Sequence, residues 1–200
     1  MKILTYPDPI LDQIAKNVEF PLSGEVCDLV RNMYKFVQKK GVGLAAPQVG
    51  VSLQICIINL SDDKILAKKY KNPDFVMINP TVIFESEVKS LMVEGCLSFP
   101  EEFWKIWRSS NINVKFETIS NWQNFLKGEK PKIKTQTLMS KSWLARVILH
   151  EVDHLNGRLF INMKGEKLPP EEIHNEKIVD RKSTRLNSSH STLSRMPSSA

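Results

Sequence analysis

The stretch from Ser142 to Asn156 constrains this chain most, because it is apolar nearly all round and still carries ionisable side chains. A helix with apolar residues on every face is typical of a buried element, and Gly157 follows where helices commonly end. Burying polar groups is costly unless they are bonded or bind a ligand. The buried helix therefore indicates a functional site that includes His150, Glu151, Asp153 and His154.

The spacing within this group indicates a metal site. His150 and His154 are four residues apart, and side chains at i and i+4 share one helix face, so two imidazoles can bind one metal ion. Glu151 follows the first histidine, where it would lie beside the metal and take a proton from water. The HExxH pattern therefore predicts a metal-dependent hydrolase.

A catalytic metal ion needs a third protein ligand and an open position for water. Cys96 is the favoured candidate, because Gly95 beside it allows the backbone to approach a ligand closely. His174, 20 residues after His154, is the alternative, although its neighbours have the pattern of an exposed helix.

A second candidate segment is the glycine- and alanine-rich run GVGLAAPQVG at Gly41–Gly50. It lacks the Lys-Ser/Thr pair of phosphate-binding loops, so it indicates backbone lying close to another kind of ligand. Gln48 in this run can donate amide hydrogens to an oxyanion that develops during hydrolysis.

The remaining patterns predict an α+β domain. Apolar residues at intervals of three to four predict an amphipathic helix that begins after Ser23 and ends near Gly41. A turn at Gly128–Pro131 favours antiparallel pairing of the strands on either side, and a short third helix is predicted from Pro169. Alternating, β-rich segments predict strands at Val51–Leu60, Phe75–Phe84, Ile112–Ile119 and Lys132–Leu138.

The net charge of +6 is concentrated at the C-terminal end. Residues 180–200 carry four basic side chains against one acidic, which leaves 24 basic and 21 acidic residues, or +3, in residues 1–179. The tail has seven serines and no aromatic residue, so it is predicted to be disordered. Its sequence also matches the translation of a sequencing-library adapter. We expect one catalytic domain at 1–179, a tail at 180–200 foreign to the natural protein, and no DNA partner.

The cellular environment is predicted from apolar runs and cysteines. Runs such as Ile55–Leu60 are far shorter than the ~20 residues that cross a bilayer. Three cysteines do not form an even disulfide framework, and Cys27 and Cys56 fit a helix and a strand as small apolar residues. These features predict a protein of the cytoplasm without a membrane partner.

Three motifs in order resemble the peptide deformylase family: GVGLAAPQ at 41–48, EGCLS at 94–98 and HEVDHLNG at 150–157. The resemblance extends from Leu4 to about Phe160. It implies small antiparallel or mixed sheets packed around a buried central helix that carries HExxH. It also implies removal of the formyl group from the N-terminal methionine of newly synthesised polypeptides, with release of formate. Leu149 departs from the family pattern, which usually has Gln before the first histidine.

The resemblance implies a metal centre with four participating side chains. Cys96, His150 and His154 would bind one divalent metal ion, with Fe²⁺ favoured and Zn²⁺ possible for this donor set. Glu151 would act as the general base and then the general acid.

The resemblance also implies a substrate site. Gln48 and the backbone N–H of Leu97 would bind the formyl oxygen, and the main chain of Gly43 would dock the substrate. Val42 and Val147 would line the methionine pocket. Nascent formyl-Met polypeptides would be the substrates, with transient contact with the ribosome in a bacterial-type cytoplasm.

Several alternatives stay open at this point. A zinc-dependent peptidase shares HExxH but would take a downstream ligand such as His174, and a non-catalytic relative would bind formylated peptides or ribosomes without turnover. Trp104 and Trp107 either pack in the core or form a groove wall. Arg108 is predicted to pair with Glu94.

Overall fold

The structure is a computed structural model that describes residues 1–38, 40–61, 67–68, 73–169 and 172. The tail predicted at 180–200, most of the helix predicted from Pro169, and His174 lie outside these residues. In the part of the chain that is described, no helix is long and apolar enough to cross a membrane.

Two antiparallel sheets organise the described residues. The larger consists of β1 (Gly43–Ala45), β2 (Ile55–Asn59), β3 (Asp74–Glu85), β6 (Asn111–Ile119) and β7 (Ile133–Lys141), in the order β1-β2-β3-β6-β7. The smaller consists of β4 (Lys89–Cys96), β5 (Phe99–Ser109) and β8 (Gly165–Lys167), in the order β4-β5-β8. All strand pairings within the two sheets are antiparallel.

The four predicted strands are observed, but β1, β4, β5 and β8 were not among them. β6 and β7 pair antiparallel as predicted, with Ile119 opposite Ile133. β2 begins at Ile55 and not at Val51, because the preceding segment bonds to the N-terminal region: the N–H of Lys16 donates to the Ser52 carbonyl at 3.1 Å. β5 was not predicted from the sequence, since exposed and buried side chains alternate irregularly along it.

Three α-helices have both ends within the described residues: α1 (Gly24–Val37), α2 (Trp122–Leu126) and α3 (Ser142–Leu155). α1 begins where Ser23 Oγ accepts a hydrogen bond from the Val26 N–H at 3.2 Å, which satisfies an otherwise unpaired helix donor. Its apolar face packs against β1 and β2. The prediction of an amphipathic first helix is confirmed, and α2 is an insertion between β6 and β7 that was not predicted.

α3 is the buried central helix. It contacts β1, β2, β6 and β7 of the larger sheet and β5 of the smaller one, and twelve of its fourteen residues are buried. Gly157 ends it with φ +63°, and a Cβ there would lie 2.5 Å from the Asp12 carbonyl oxygen, so this position requires glycine. The predicted α+β class, with small sheets around a central helix, is confirmed.

Candidate metal centre and active site

The fold brings the three predicted metal ligands together. Cys96 ends β4, and His150 and His154 lie on successive turns of α3. One ligand atom from each side chain lies within 4.8 Å of the other two, and all three residues are buried. Sγ of Cys96 is 3.2 Å from Nε2 of His154, across 58 residues of sequence.

The donor atoms of this group suit a divalent metal ion. Nδ1 of His150 lies 2.9 Å from Oε2 of Glu94; because the ionised carboxylate accepts, Nδ1 carries a hydrogen, and Nε2 is the nitrogen left to bind a metal ion. Nε2 is buried and makes no hydrogen bond within the described residues. Burial, with the neighbouring charges of His150 and Arg108, lowers the pKa of His154 well below its ordinary value, so this imidazole is neutral. Two imidazoles and a thiolate are a donor set for zinc or ferrous iron.

Glu151 lies beside the three ligands and is itself buried. Its carboxylate rests against the α-carbon of Gly43, where an added methyl group would overlap Oε1 and Cδ of Glu151. Gly43 therefore has a steric role that the amino-acid sequence did not indicate. The absence of a side chain at Gly43 leaves space for the carboxylate of Glu151. This contact also places β1, which begins at Gly43, at the edge of the metal centre.

The amide of Gln48 is oriented by its neighbours. Oε1 accepts a hydrogen bond from the Ala45 N–H at 2.9 Å, so the amide nitrogen points the other way. Nε2 is 3.4 Å from Sγ of Cys96 and 3.3 Å from Oγ of Ser98. The amide hydrogens therefore face the metal centre. Ser98, fully buried, was not among the predicted site residues.

The N-terminal segment connects the two loops that carry Gln48 and Cys96. The N–H of Leu4 donates to the Gln48 carbonyl at 2.8 Å, and the N–H of Tyr6 donates to the Ser98 carbonyl at 3.0 Å. Leu97 lies between Cys96 and Ser98 and is half-buried against the core beneath α1. Its position in the chain places its backbone N–H next to the predicted thiolate ligand.

Val42 and Val147 belong to one apolar cluster. Val147 is buried in the core around α3, and the half-buried residues Val42 and Met92 pack against that core. Leu149, at the position where the family usually has Gln, is buried in the same core. This departure from the motif therefore contributes packing.

A buried ionic cluster contacts the predicted ligand His150 through Glu94. Arg108 Nε and Nη2 lie 2.6 and 2.9 Å from the two oxygens of Glu94, which confirms the predicted pair, and Nη1 donates to Asp153. Burial alone would raise the pKa of Glu94, but Arg108 and the hydrogen bond from His150 hold it well below its usual range. Glu94 is therefore ionised and accepts from the imidazole of His150.

The two tryptophans of β5 differ in environment. The ring of Trp104 packs edge-on against Phe160 with 6.3 Å between centroids, and Phe160 lies 5.8 Å from the imidazole of His150. Trp107 pairs with Leu91 across the strands and is 43% exposed. Of the two predicted roles, core packing and a groove wall, Trp104 therefore has the packing role, next to the Phe160 ring that contacts His150.

Comparison with known proteins gives this arrangement a family. The model of the polypeptide deformylase family matches residues 1–168. The chain belongs to the polypeptide deformylase family. The peptide deformylase of Orientia tsutsugamushi (strain Ikeda) is 36% identical over 170 residues, which cover 81% of this chain and 85% of that protein.

Solved structures of peptide deformylases share the fold. The enzyme from Legionella pneumophila has a TM-score of 0.66 and 32% identity, covering 86% of this chain and 87% of that one. A Met-Ala-Ser-bound class I type b peptide deformylase from Acinetobacter baumannii has a TM-score of 0.66 and 30% identity, covering 80% and 96%. This chain is thus a deformylase-family metallohydrolase that removes the formyl group from formyl-methionine, and the predicted family, fold class and function are confirmed.

Proposed function

We propose that this chain deformylates nascent formyl-Met polypeptides at a centre in which Cys96, His150 and His154 bind one divalent metal ion. The observation that carries the proposal is the meeting of one thiol and two imidazoles, within 4.8 Å of one another, in a buried site. Glu151, on the same helix as the two histidines, and Gln48, on the 3-10 turn after β1, flank this group. Each has the chemistry that amide hydrolysis needs beside a metal.

In the proposed reaction, water adds to the formyl carbon and the bond between this carbon and the methionine nitrogen breaks. A divalent metal ion, when bound, supplies Lewis acidity and makes water a stronger acid. Glu151 takes the proton of the attacking water and delivers it to the departing amine. Gln48 Nε2 and the N–H of Leu97 donate hydrogen bonds to the oxygen that gains negative charge. The products are formate and a free N-terminus.

The proposed substrate site lies along β1. The main chain of Gly43 docks the substrate backbone, while Val42 and Val147 accept the thioether side chain of methionine in an apolar environment. The Met-Ala-Ser peptide bound to the Acinetobacter baumannii relative supports a peptide with N-terminal methionine as the ligand.

Replacing Cys96 tests the metal ligands directly. We expect Cys96→Ser to lose bound metal and formate release, because the alcohol is a poorer ligand than a thiolate for a soft divalent ion. The matched control is Cys27→Ser, which replaces a different buried thiol that lies on α1, away from the grouped ligands. Metal per chain and formate release from a formyl-Met peptide are measured on the full chain. Retained metal in Cys96→Ser and loss of metal in His174→Ala would favour the peptidase ligand set instead.

We propose Fe²⁺ as the native metal ion. A thiolate ligand next to ferrous iron is sensitive to oxidants, since iron and the sulfur of Cys96 can be oxidised together. The chain purified without oxygen is therefore expected to lose activity on exposure to air, while a zinc-loaded sample is not. Metal content and formate release before and after aeration give the measurement. An air-stable native enzyme would exclude iron.

The proposed place of action is a bacterial-type cytoplasm, with transient contact with the ribosome. Formylated N-termini arise on ribosome-bound chains, so the concentration of substrate is highest where the nascent chain leaves the ribosome. We expect weak, salt-sensitive co-sedimentation of the full chain with translating ribosomes, and none with ribosomal subunits in high salt. Equal recovery with and without ribosomes would remove this part of the proposal.

A further inference from the structure

The helix that carries the predicted histidine ligands also carries Arg146, which nothing in the proposed reaction uses. Its side chain is 1% exposed and is the largest fully buried side chain of the described residues. Ionised side chains are rarely buried without a specific set of partners. The position of Arg146, four residues before His150, puts both side chains on one face of α3.

Arg146 and His150 hold opposite oxygens of one carboxylate. Nη1 of Arg146 is 2.6 Å from Oε1 of Glu94, and Nδ1 of His150 is 2.9 Å from Oε2. Glu94 thus spans two turns of the helix and cannot rotate without breaking one contact. Arg108 also binds both oxygens from β5 and contacts α3 only through Asp153, whereas Arg146 binds Glu94 from α3 itself.

Arg146 also joins α3 to both strands of the hairpin that leads to Cys96. Its Nη1 donates to the carbonyl of Ile106 on β5 at 2.8 Å. Its Nη2 donates to the carbonyl of Ser90 on β4 at 2.6 Å. Cys96 ends β4, so this guanidinium fixes the strand of the thiol ligand against the helix of the imidazole ligands.

We infer that Arg146 is a positioning residue for the metal centre. Through Glu94 it sets the ring orientation of His150, and through the two carbonyls it sets the separation of Cys96 from the histidines. The inference rests on the proposed metal ligands. Partners of metal ligands commonly change metal affinity by about 10- to 100-fold when they are removed, and Arg146 supports two ligands at once.

Co²⁺ binding to the full chain, after removal of its native metal, tests this role. Co²⁺ reports ligand geometry through its visible absorption and thiolate coordination through a charge-transfer band. We expect Arg146→Met to bind Co²⁺ about 10- to 100-fold more weakly and with altered visible bands. The matched control is Arg158→Met. Arg158 Nη2 lies 2.8 Å from Asp153 Oδ1 on the exposed side of the ionic cluster, and Arg158 is not paired with Glu94. This variant should bind Co²⁺ with the affinity and spectrum of the unchanged chain.

A second variant keeps the test decisive if Arg146→Met does not fold. Arg146→Lys keeps the charge but puts one nitrogen in place of the fixed planar pair that binds Glu94, Ile106 and Ser90, so it should weaken Co²⁺ binding and shift the visible bands. Wild-type affinity and spectrum in a folded Arg146 variant would overturn the inference, even if its melting temperature fell. If instead the unchanged chain takes up no Co²⁺, or Cys96→Ser keeps the charge-transfer band, the proposed metal ligands themselves are wrong.

Discussion

Replacing Glu151 with Gln is expected to reduce kcat for formate release by about 10²- to 10⁴-fold, the contribution typical of a positioned general acid–base residue. The amide has nearly the size of the carboxylate but cannot accept the proton of the attacking water. Its packing against Gly43 should persist. Because Glu151 is not one of the three grouped ligands, the variant should keep its metal ion.

Formate release and metal content must be measured on the same Glu151→Gln sample. Glu166→Gln is the control, since Glu166 is an exposed acidic residue on β8, and it should deformylate at the unchanged rate. Loss of the metal in Glu151→Gln would mean that Glu151 is a ligand. A variant with full metal and full activity would remove the general base from the proposed mechanism.

Replacing Arg108 with Gln is expected to lower the free energy of unfolding by about 3 to 5 kcal/mol, the usual cost of leaving buried charges without a partner. Arg108 contacts both Glu94 and Asp153, and all three side chains are nearly inaccessible to solvent. Without the guanidinium, two carboxylates share the interior with fewer positive neighbours. Glu94→Gln should also destabilise the fold, because Arg146 and Arg108 would both lose an ionised acceptor.

Chemical denaturation of the single and double variants separates the interaction energy of the Arg108–Glu94 pair from destabilisation that each substitution causes independently. The Arg108→Gln, Glu94→Gln double variant should lose less stability than the sum of the two single losses, because each removes the same contact. Lys167→Gln is the control: Lys167 pairs with Glu102 at the surface, where ion pairs contribute about 0 to 1 kcal/mol. Additive losses, or an Arg108 effect as small as the Lys167 effect, would contradict the proposed cluster.

Much of the fold could be predicted because local periodicity reports burial. The three- to four-residue spacing on α1 and the all-round apolar pattern of α3 both identified helices within a few residues of their observed ends. β5 was missed because it faces two environments: Trp107 is exposed while Phe103 is buried on the same face. The irregular alternation hides such a strand from any pattern of period two.

The site was predictable to the extent that its residues are neighbours in sequence. His150, Glu151 and His154 lie on successive turns of one helix, whereas Cys96 and Gln48, distant in sequence, had only the weaker signal of the small residues beside them, which the resemblance between motifs then supported. Ser98 had no separate signal. Arg146 had a partial one: with His150 and Asp153 it forms a polar stripe at i, i+4 and i+7 on a helix whose other faces are apolar.

By itself, the sequence determined that a buried helix carries paired imidazoles and an acid, because helix periodicity and side-chain chemistry are local properties. Only the tertiary structure decided that Cys96 meets His154 across 58 residues, that Gly43 makes room for Glu151, and that one guanidinium of Arg146 joins α3 to β4 and β5. These contacts depend on how sheets and helix pack together. That packing is set by the whole core, and no short segment contains it.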